Sequence, residues 1–169
     1  MSDAIEIHEY DPRWPEQFAV IARRVRCTLG PDLLVAIEHI GSTAVPGLAA
    51  KPVIDLGVII KSADLLPAAV AGLATIGYVH EGDKGIPDRA AFHWPPGETR
   101  HHLYVCSPAS RELYRQIAFR NFLRACPNER AKYAALKYAL AERYREDRGA
   151  YSDAKTDFVL SVLKRAGVE

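Results

Sequence analysis

Two apolar runs, LLVAIEHI (residues 33–40) and PVIDLGVII (residues 52–60), flank a short stretch dense in Gly, Ser, Thr and Pro. Both are rich in β-branched residues and short, so they read as strands bracketing a loop. Side chains alternate faces along a strand, which puts Ile54, Leu56, Val58 and Ile60 on one face and Val53, Asp55, Gly57 and Ile59 on the other. The first set is a core face. The second carries a carboxylate beside a glycine, where the backbone is open to close approach by a ligand or another chain. An ionised carboxylate on a sheet needs water, a cation or a network of donors, because unpaired burial is costly or shifts its pKa. A bound divalent cation is one solution.

The intervening GSTAVPG can present backbone N–H groups and two hydroxyls near a helix start in VPGLAA, an arrangement suited to an anion or a phosphate. It lacks the Gly-x4-Gly-Lys-Ser/Thr spacing of a P-loop and can equally be an ordinary turn. Lys51 is either a phosphate-neutralising side chain or an exposed surface lysine. Hydroxyls, a helix start, a lysine and an aspartate thus converge at the end of one strand pair.

The rest of the chain supplies the frame. AIEIHEY alternates as a half-buried strand, and a helical stripe of Phe18, Ile21, Ala22, Val25 and Leu29 then runs to Gly30. ADLLPAAVAGLATIGY reads as a helix closed by Gly77, and residues 78–106 as a hairpin or meander ending in the strand RHHLYVC. From Ser107 the pattern is helical, with Leu113, Ile117, Ala118, Phe122 and Leu123 near one stripe, a new helix from Pro127 and a last one after Gly149. With 169 residues, no repeat and no dividing linker, the expectation is a single α+β domain: a mixed β-sheet flanked by helices over about 1–106 and a helical third over about 107–169.

The stretch EHIGSTAVPGLAAKPVIDLGV closely resembles the signature of the GrpB family, and the likeness continues in YDPRWPEQF, LATIGY, RHHLYV, FRNFLRACP, YAALKYALAERY and YSDAKTDFV. It spans essentially the whole chain. The resemblance implies a nucleotidyltransferase-like fold of the DNA polymerase beta superfamily, in which a Gly-Ser pair opens a short helix that holds phosphate and carboxylates two residues apart bind Mg²⁺. Gly41 and Ser42 match the pair, with Thr43 beside them, and Asp55 matches the first carboxylate. Position 57 is glycine where the second carboxylate would stand, which puts a two-metal mechanism in doubt.

In RHHLYVC, His101 shares a face with Leu103 and Val105, while His102 lies with Tyr104 and Cys106. GrpB members usually show a histidine, apolar, histidine pattern on this strand, and here the second histidine is Tyr104. His102 is placed to stand for the third carboxylate as a metal ligand, phosphate donor or general base, against the alternative of a hydrogen-bonded structural histidine. A site of Asp55 and His102 would take Mg²⁺ or Mn²⁺, with Mn²⁺ or Zn²⁺ better suited to the imidazole. Arg89 can bind an acidic ligand or lie on the surface, with His93 on its face. His39 can orient the loop. Trp14, Tyr133 and Tyr138 read as core or helix-packing aromatics, and Arg120, Lys137 and Lys155 as either a positive wall opposite the loop or surface ion pairs.

Composition narrows the field of function. A net charge of +1, with 8 basic against 13 acidic residues before residue 100 and 14 against 8 after it, gives no global field for nucleic acid or an anionic membrane. The C-terminal excess lies in patterned helices without an aromatic platform, so nucleic acid is disfavoured. Three scattered cysteines, acids near the start and no long apolar run fit a cytoplasmic protein without membrane association. The leading expectation is a binder of a nucleotide or other phosphorylated small molecule, with metal-dependent nucleotidyl transfer as its reaction if it turns over. The alternative is a non-catalytic interaction or folding-assistance module, the role the resemblance implies for GrpB domains fused to dephospho-CoA kinase.

Overall fold

The computed structural model describes residues 4–169. Helix α1 (Trp14–Leu33) leaves helical geometry at Gly30, and strand β1 (Leu34–Ile40) follows. Strand β2 (Ile54–Ile60), helix α2 (Leu66–Ala74) and strands β3 (Val79–His80), β4 (Arg89–His93) and β5 (His101–Cys106) complete the first part. Helices α3 (Arg111–Ala125), α4 (Pro127–Arg143), α5 (Arg148–Asp153) and α6 (Thr156–Arg165) form the rest.

The strands form one mixed sheet in the order β1-β2-β5-β4-β3, with only the β2–β5 pair parallel. The face assigned from alternation is the core face: Ile54, Leu56, Val58 and Ile60 pack with Leu103, Val105 and Phe92 against Trp14, Ile21, Val25 and Leu29 of α1 and Leu73 of α2. Each fully buried Leu, Ile or Val contributes about 1.5–3 kcal/mol, so this layer supplies most of the apolar stabilisation. His101 belongs to it as well. Its Nδ1 donates to the Thr99 carbonyl (2.5 Å) and its Nε2 accepts from the Tyr78 hydroxyl (2.7 Å), and burial lowers its pKa.

The opposite face is covered by the C-terminal helices. Leu113 of α3 packs with Ile40 and Cys106, flanked by Ile59, Tyr104 and Ile117. The space it takes is the space a side chain at position 57 would need: a Cβ on Gly57 would stand 2.5 Å from Leu113 Cδ1. A side chain at 57 would have to displace the Leu113 methyl that packs there.

Three expectations about local structure change. AIEIHEY does not join the sheet; it makes an isolated antiparallel bridge between His8 and Ala50, and Ile5 N–H donates to Arg145 C=O (2.8 Å). Its backbone partners lie in the loop and after α4, although the apolar side of the alternation is still used, with Ile5 buried among Leu140, Ala141 and Tyr151. VPGLAA is not helical: Gly47 takes φ +77°, outside helical geometry. The helical turn instead precedes it, as a single 3₁₀ turn over Ser42–Ala44. Tyr138 is exposed, its hydroxyl donating to Glu9 (3.2 Å), whereas Trp14 and Tyr133 are buried.

Gly57→Asp is expected to lower stability by about 2–4 kcal/mol through overpacking and a carboxylate against apolar α3. Adding Leu113→Ala should recover part of the loss, giving a non-additive double-mutant cycle in urea unfolding. Simple additivity would show that Leu113 does not set the residue at position 57.

Candidate phosphate-binding cavity

Register brings the sequence-distant groups together. Asp55 stands opposite Ile40 on β1 and opposite His102 on parallel β5, so carboxylate and imidazole leave the same face side by side. His102 Nδ1 donates to Asp55 Oδ1 at 2.8 Å, which leaves Nε2 without a partner among the described residues. Immediately after Ile40, Gly41 turns the chain at φ +74°, and a Cβ there would lie 2.2 Å from Asp55 Oδ2. Only glycine meets both demands.

The loop beyond Gly41 is held from inside. Thr43 is buried and its hydroxyl donates to Val53 C=O (3.3 Å), so His39 Nε2–H donates to the same hydroxyl oxygen (3.0 Å). His39 stacks on Phe18, with ring centroids 4.6 Å apart. Burial drives its pKa down to about 4, partly opposed by Asp55, so the imidazole is neutral. Arg120 Nη1 donates to Glu38 Oε2 and to His39 C=O, both at 2.7 Å, and Arg124 donates to Ala44 C=O at 2.6 and 2.9 Å. These contacts place Ser42 at the edge of a cavity.

The cavity has a volume of about 350 Å³ and lies between the sheet and the C-terminal helices. Gly41, Ser42, Thr43, Lys51, Asp55 and His102 all line it. Three amines line it as well: Lys51 from the loop, Lys137 from α4 and Lys155 at the start of α6. Lys137 is 2% exposed, donates to Ala49 C=O and lies 4.8 Å from the Tyr133 ring centroid. Lys155 and Lys51 lie 4.2 and 5.4 Å from that of Tyr151. Burial, reinforced by Lys155 and Lys51, lowers the Lys137 pKa to about 7. Burial and Lys51 lower that of Lys155 to about 8, with Asp55 opposing. Lys51 is lowered too, by burial and then by Arg148.

Arg89 lies elsewhere. Antiparallel pairing sets it opposite Cys106, four residues along β5 from His102 and roughly 13 Å away at strand spacing. Its guanidinium covers the outer side of the Tyr104 region, 4.5 Å from that ring's centroid, and donates to Asp83 C=O (3.3 Å). Arg89 is not among the residues lining the cavity, and His93 stacks on Trp94.

The residues present do not fit a two-metal centre. Asp55 Oδ1 is taken by His102, Oδ2 abuts Gly41, and Leu113 occupies the space beside position 57. No group of three His, Cys, Asp or Glu side chains that could hold a metal ion occurs among the described residues.

With this geometry in place, comparison with known proteins gives the relationship. A family model described as GrpB protein matches residues 4–165. The chain belongs to the GrpB family. A UPF0157 protein of Pseudomonas aeruginosa is 40% identical over 170 residues, covering 97% of this chain and 68% of that protein. The crystal structure of the conserved protein GrpB from Enterococcus faecalis superposes with a TM-score of 0.86 at 33% identity, over 95% of this chain and 96% of that one. The Cid1 poly(U) polymerase, with Mg 3'-dATP bound, aligns with a TM-score of 0.59 at 14% identity, over 88% of this chain and 49% of Cid1. That likeness establishes a nucleotidyltransferase-like fold and nothing about activity. No described helix of this GrpB chain is long and apolar enough to cross a membrane.

Sequence reasoning grouped Lys137 and Lys155 with Arg120 as one positive wall, but did not place the two lysines among the binding candidates. Arg120 is ion-paired and structural, while the lysines line the cavity. The available signal was Tyr133 and Lys137 at i, i+4 on one helix face, an aromatic and an amine brought together. A lysine whose folded pKa is depressed costs stability at neutral pH. The cost is largest below about pH 7 and is relieved as pH rises through the window from about 7 to 10.5, because the unfolded chain then holds the proton that the native state has lost. Thermal melts of this GrpB protein should therefore gain stability between pH 7 and 10 from this site, and Lys137→Met should raise Tm at pH 7 and flatten that gain. A Lys137→Met profile parallel to wild type would exclude this linkage.

Proposed function

We propose that the cavity binds a phosphorylated small molecule of the nucleotide class. The observation that supports this best is convergence: Ser42, Lys51, Lys137 and Lys155 meet Asp55 and His102 around one cavity of about 350 Å³, within the size range of small-molecule sites. Phosphate oxygens would accept from the Ser42 hydroxyl and from the amines, contacts stronger than neutral hydrogen bonds. The aliphatic and aromatic part of the wall, including Ile40, Val45 and Phe119, would take the less polar part of the ligand.

The paired Asp55 and His102 add a reaction capability. Asp55 orients the imidazole through Nδ1, so Nε2 is available to take a proton from an incoming hydroxyl, as nucleotidyl transfer to an alcohol would require. The divalent cation that the family resemblance implies would find Asp55 and His102 as its two nearest ligands, too few for the shared-metal arrangement of that superfamily. An interaction module would instead call for a continuous apolar surface. Among the described residues the large exposed apolar side chains, Val20, Val35, Val79, Tyr114, Tyr138 and Leu160, come from six different elements.

Calorimetric titration with ATP, UTP, ADP and inorganic pyrophosphate in Mg²⁺ buffer tests the reading. At least one is expected to bind, and Ser42→Ala with Lys51→Gln should weaken it by about 10- to 100-fold, the equivalent of one or two charge-assisted contacts. Absence of binding by every probe, or affinity unchanged in the double variant, would return the chain to the interaction-module reading.

A further inference from the structure

We infer that this cavity takes up its phosphate ester as a free anion, its charge balanced by Lys51, Lys137 and Lys155 and not by a divalent metal, and that the preferred ligand carries two linked phosphates. The inference rests on the cavity being a phosphate-ester site and identifies how that site recognises charge.

Three amines gathered around one cavity oppose folding. They come from a loop, α4 and the start of α6; Lys155 and Lys51 depress protonation of Lys137, and Lys51 that of Lys155. Among the described residues none of the three is ion-paired, whereas the other cations lining the cavity are spoken for: Arg120 by Glu38 (2.7 Å), and Arg115 by Glu169 (2.9 Å) and Glu112 (3.3 Å). The faces of Tyr133 and Tyr151 shelter the amines but cannot neutralise them. An anion in the cavity is the partner that offsets the cost. Lys137 is nine-tenths or more buried, and among the described residues its single hydrogen-bond acceptor is the Ala49 carbonyl, which leaves ammonium protons for such an anion.

The opposite wall is poor in what a metal needs. Asp55 is satisfied by His102 and crowded by Gly41, and the neighbouring carboxylate position is closed by Leu113. Cation supply has thus moved from metal to side chains. A phosphomonoester carries a charge of about −1.5 to −2, and a second linked phosphate brings the charge toward the three that the amines can match.

Asp55 gives the test its sign. If a metal held the phosphates, Asp55→Asn would abolish binding; if the lysines hold them, removing a negative charge from the far wall should tighten it. ADP and inorganic pyrophosphate are titrated into wild type, Asp55→Asn, Lys155→Gln and Lys155→Arg, once in EDTA and once in Mg²⁺. The expected result is an affinity in EDTA equal to or tighter than in Mg²⁺, about tenfold weaker in Lys155→Gln, largely kept in Lys155→Arg and raised several-fold in Asp55→Asn. Melting curves confirm that each variant is folded. Binding seen only with Mg²⁺ and lost in Asp55→Asn would overturn this inference and leave the cavity reading intact. No binding of either probe in either buffer, by a protein that also fails to bind ATP and UTP, would overturn both.

Discussion

The position of one carboxylate organises the cavity side of the sheet. Asp55 sits at the first turn of the pleat in β2, with Gly41 against one oxygen and His102 hydrogen-bonded to the other. Both contacts follow from register: antiparallel pairing puts the end of β1 beside it, and parallel pairing puts the start of β5 beside it. A Cβ at 41 would collide with the carboxylate, and a one-residue slip of β5 would turn His102 into the core and His101 out of it. The loop path, the imidazole orientation and the open side of the cavity all depend on this arrangement.

The two faces of the sheet obey different rules as a result. One is a continuous apolar layer against α1 and α2, and its few polar members, such as His101, are fully bonded internally. The other is divided between a docking surface for α3 and a polar corner around Asp55. Leu113 marks the division, since the space that could have held a second carboxylate is used for helix packing. Stability and charge chemistry compete for the same few ångströms of β2. Packing occupies the space at position 57, and the cationic groups that address the cavity are Lys51 from the loop and Lys137 and Lys155 from the helical third of the chain.

Much of this was legible in order along the chain. Alternation in PVIDLGVII assigned the core face correctly, and Gly41, Ser42, Lys51 and Asp55 are close enough in sequence for a single turn to gather them. His102 was found because strand pleating separates it from His101. Thr43 reads as a second ligand hydroxyl from composition, but its side chain is spent on Val53 and His39, a use visible only when the loop closes. Arg89 and His93 share a face with Ala91 as alternation requires. Antiparallel pairing nevertheless carries Arg89 to Cys106, at the far end of β5 from His102, while the His93 ring stacks on Trp94; alternation contains no information about register.

Residue order alone was enough to read the strand faces, the Gly/Ser/Thr/Pro loop after β1, the carboxylate on the sheet, the absence of its partner at position 57 and a likeness to a family that spans the chain. These are local properties of pleat, glycine and motif. Folding in three dimensions was needed to show that Leu113 packs against Gly57, that Asp55 and His102 are a hydrogen-bonded pair, and that Lys51, Lys137 and Lys155 line one cavity. Those facts depend on which segments meet after helices α3 to α6 fold back on the sheet. Contacts between residues 50 to 100 positions apart are set by packing and register, which no local pattern encodes.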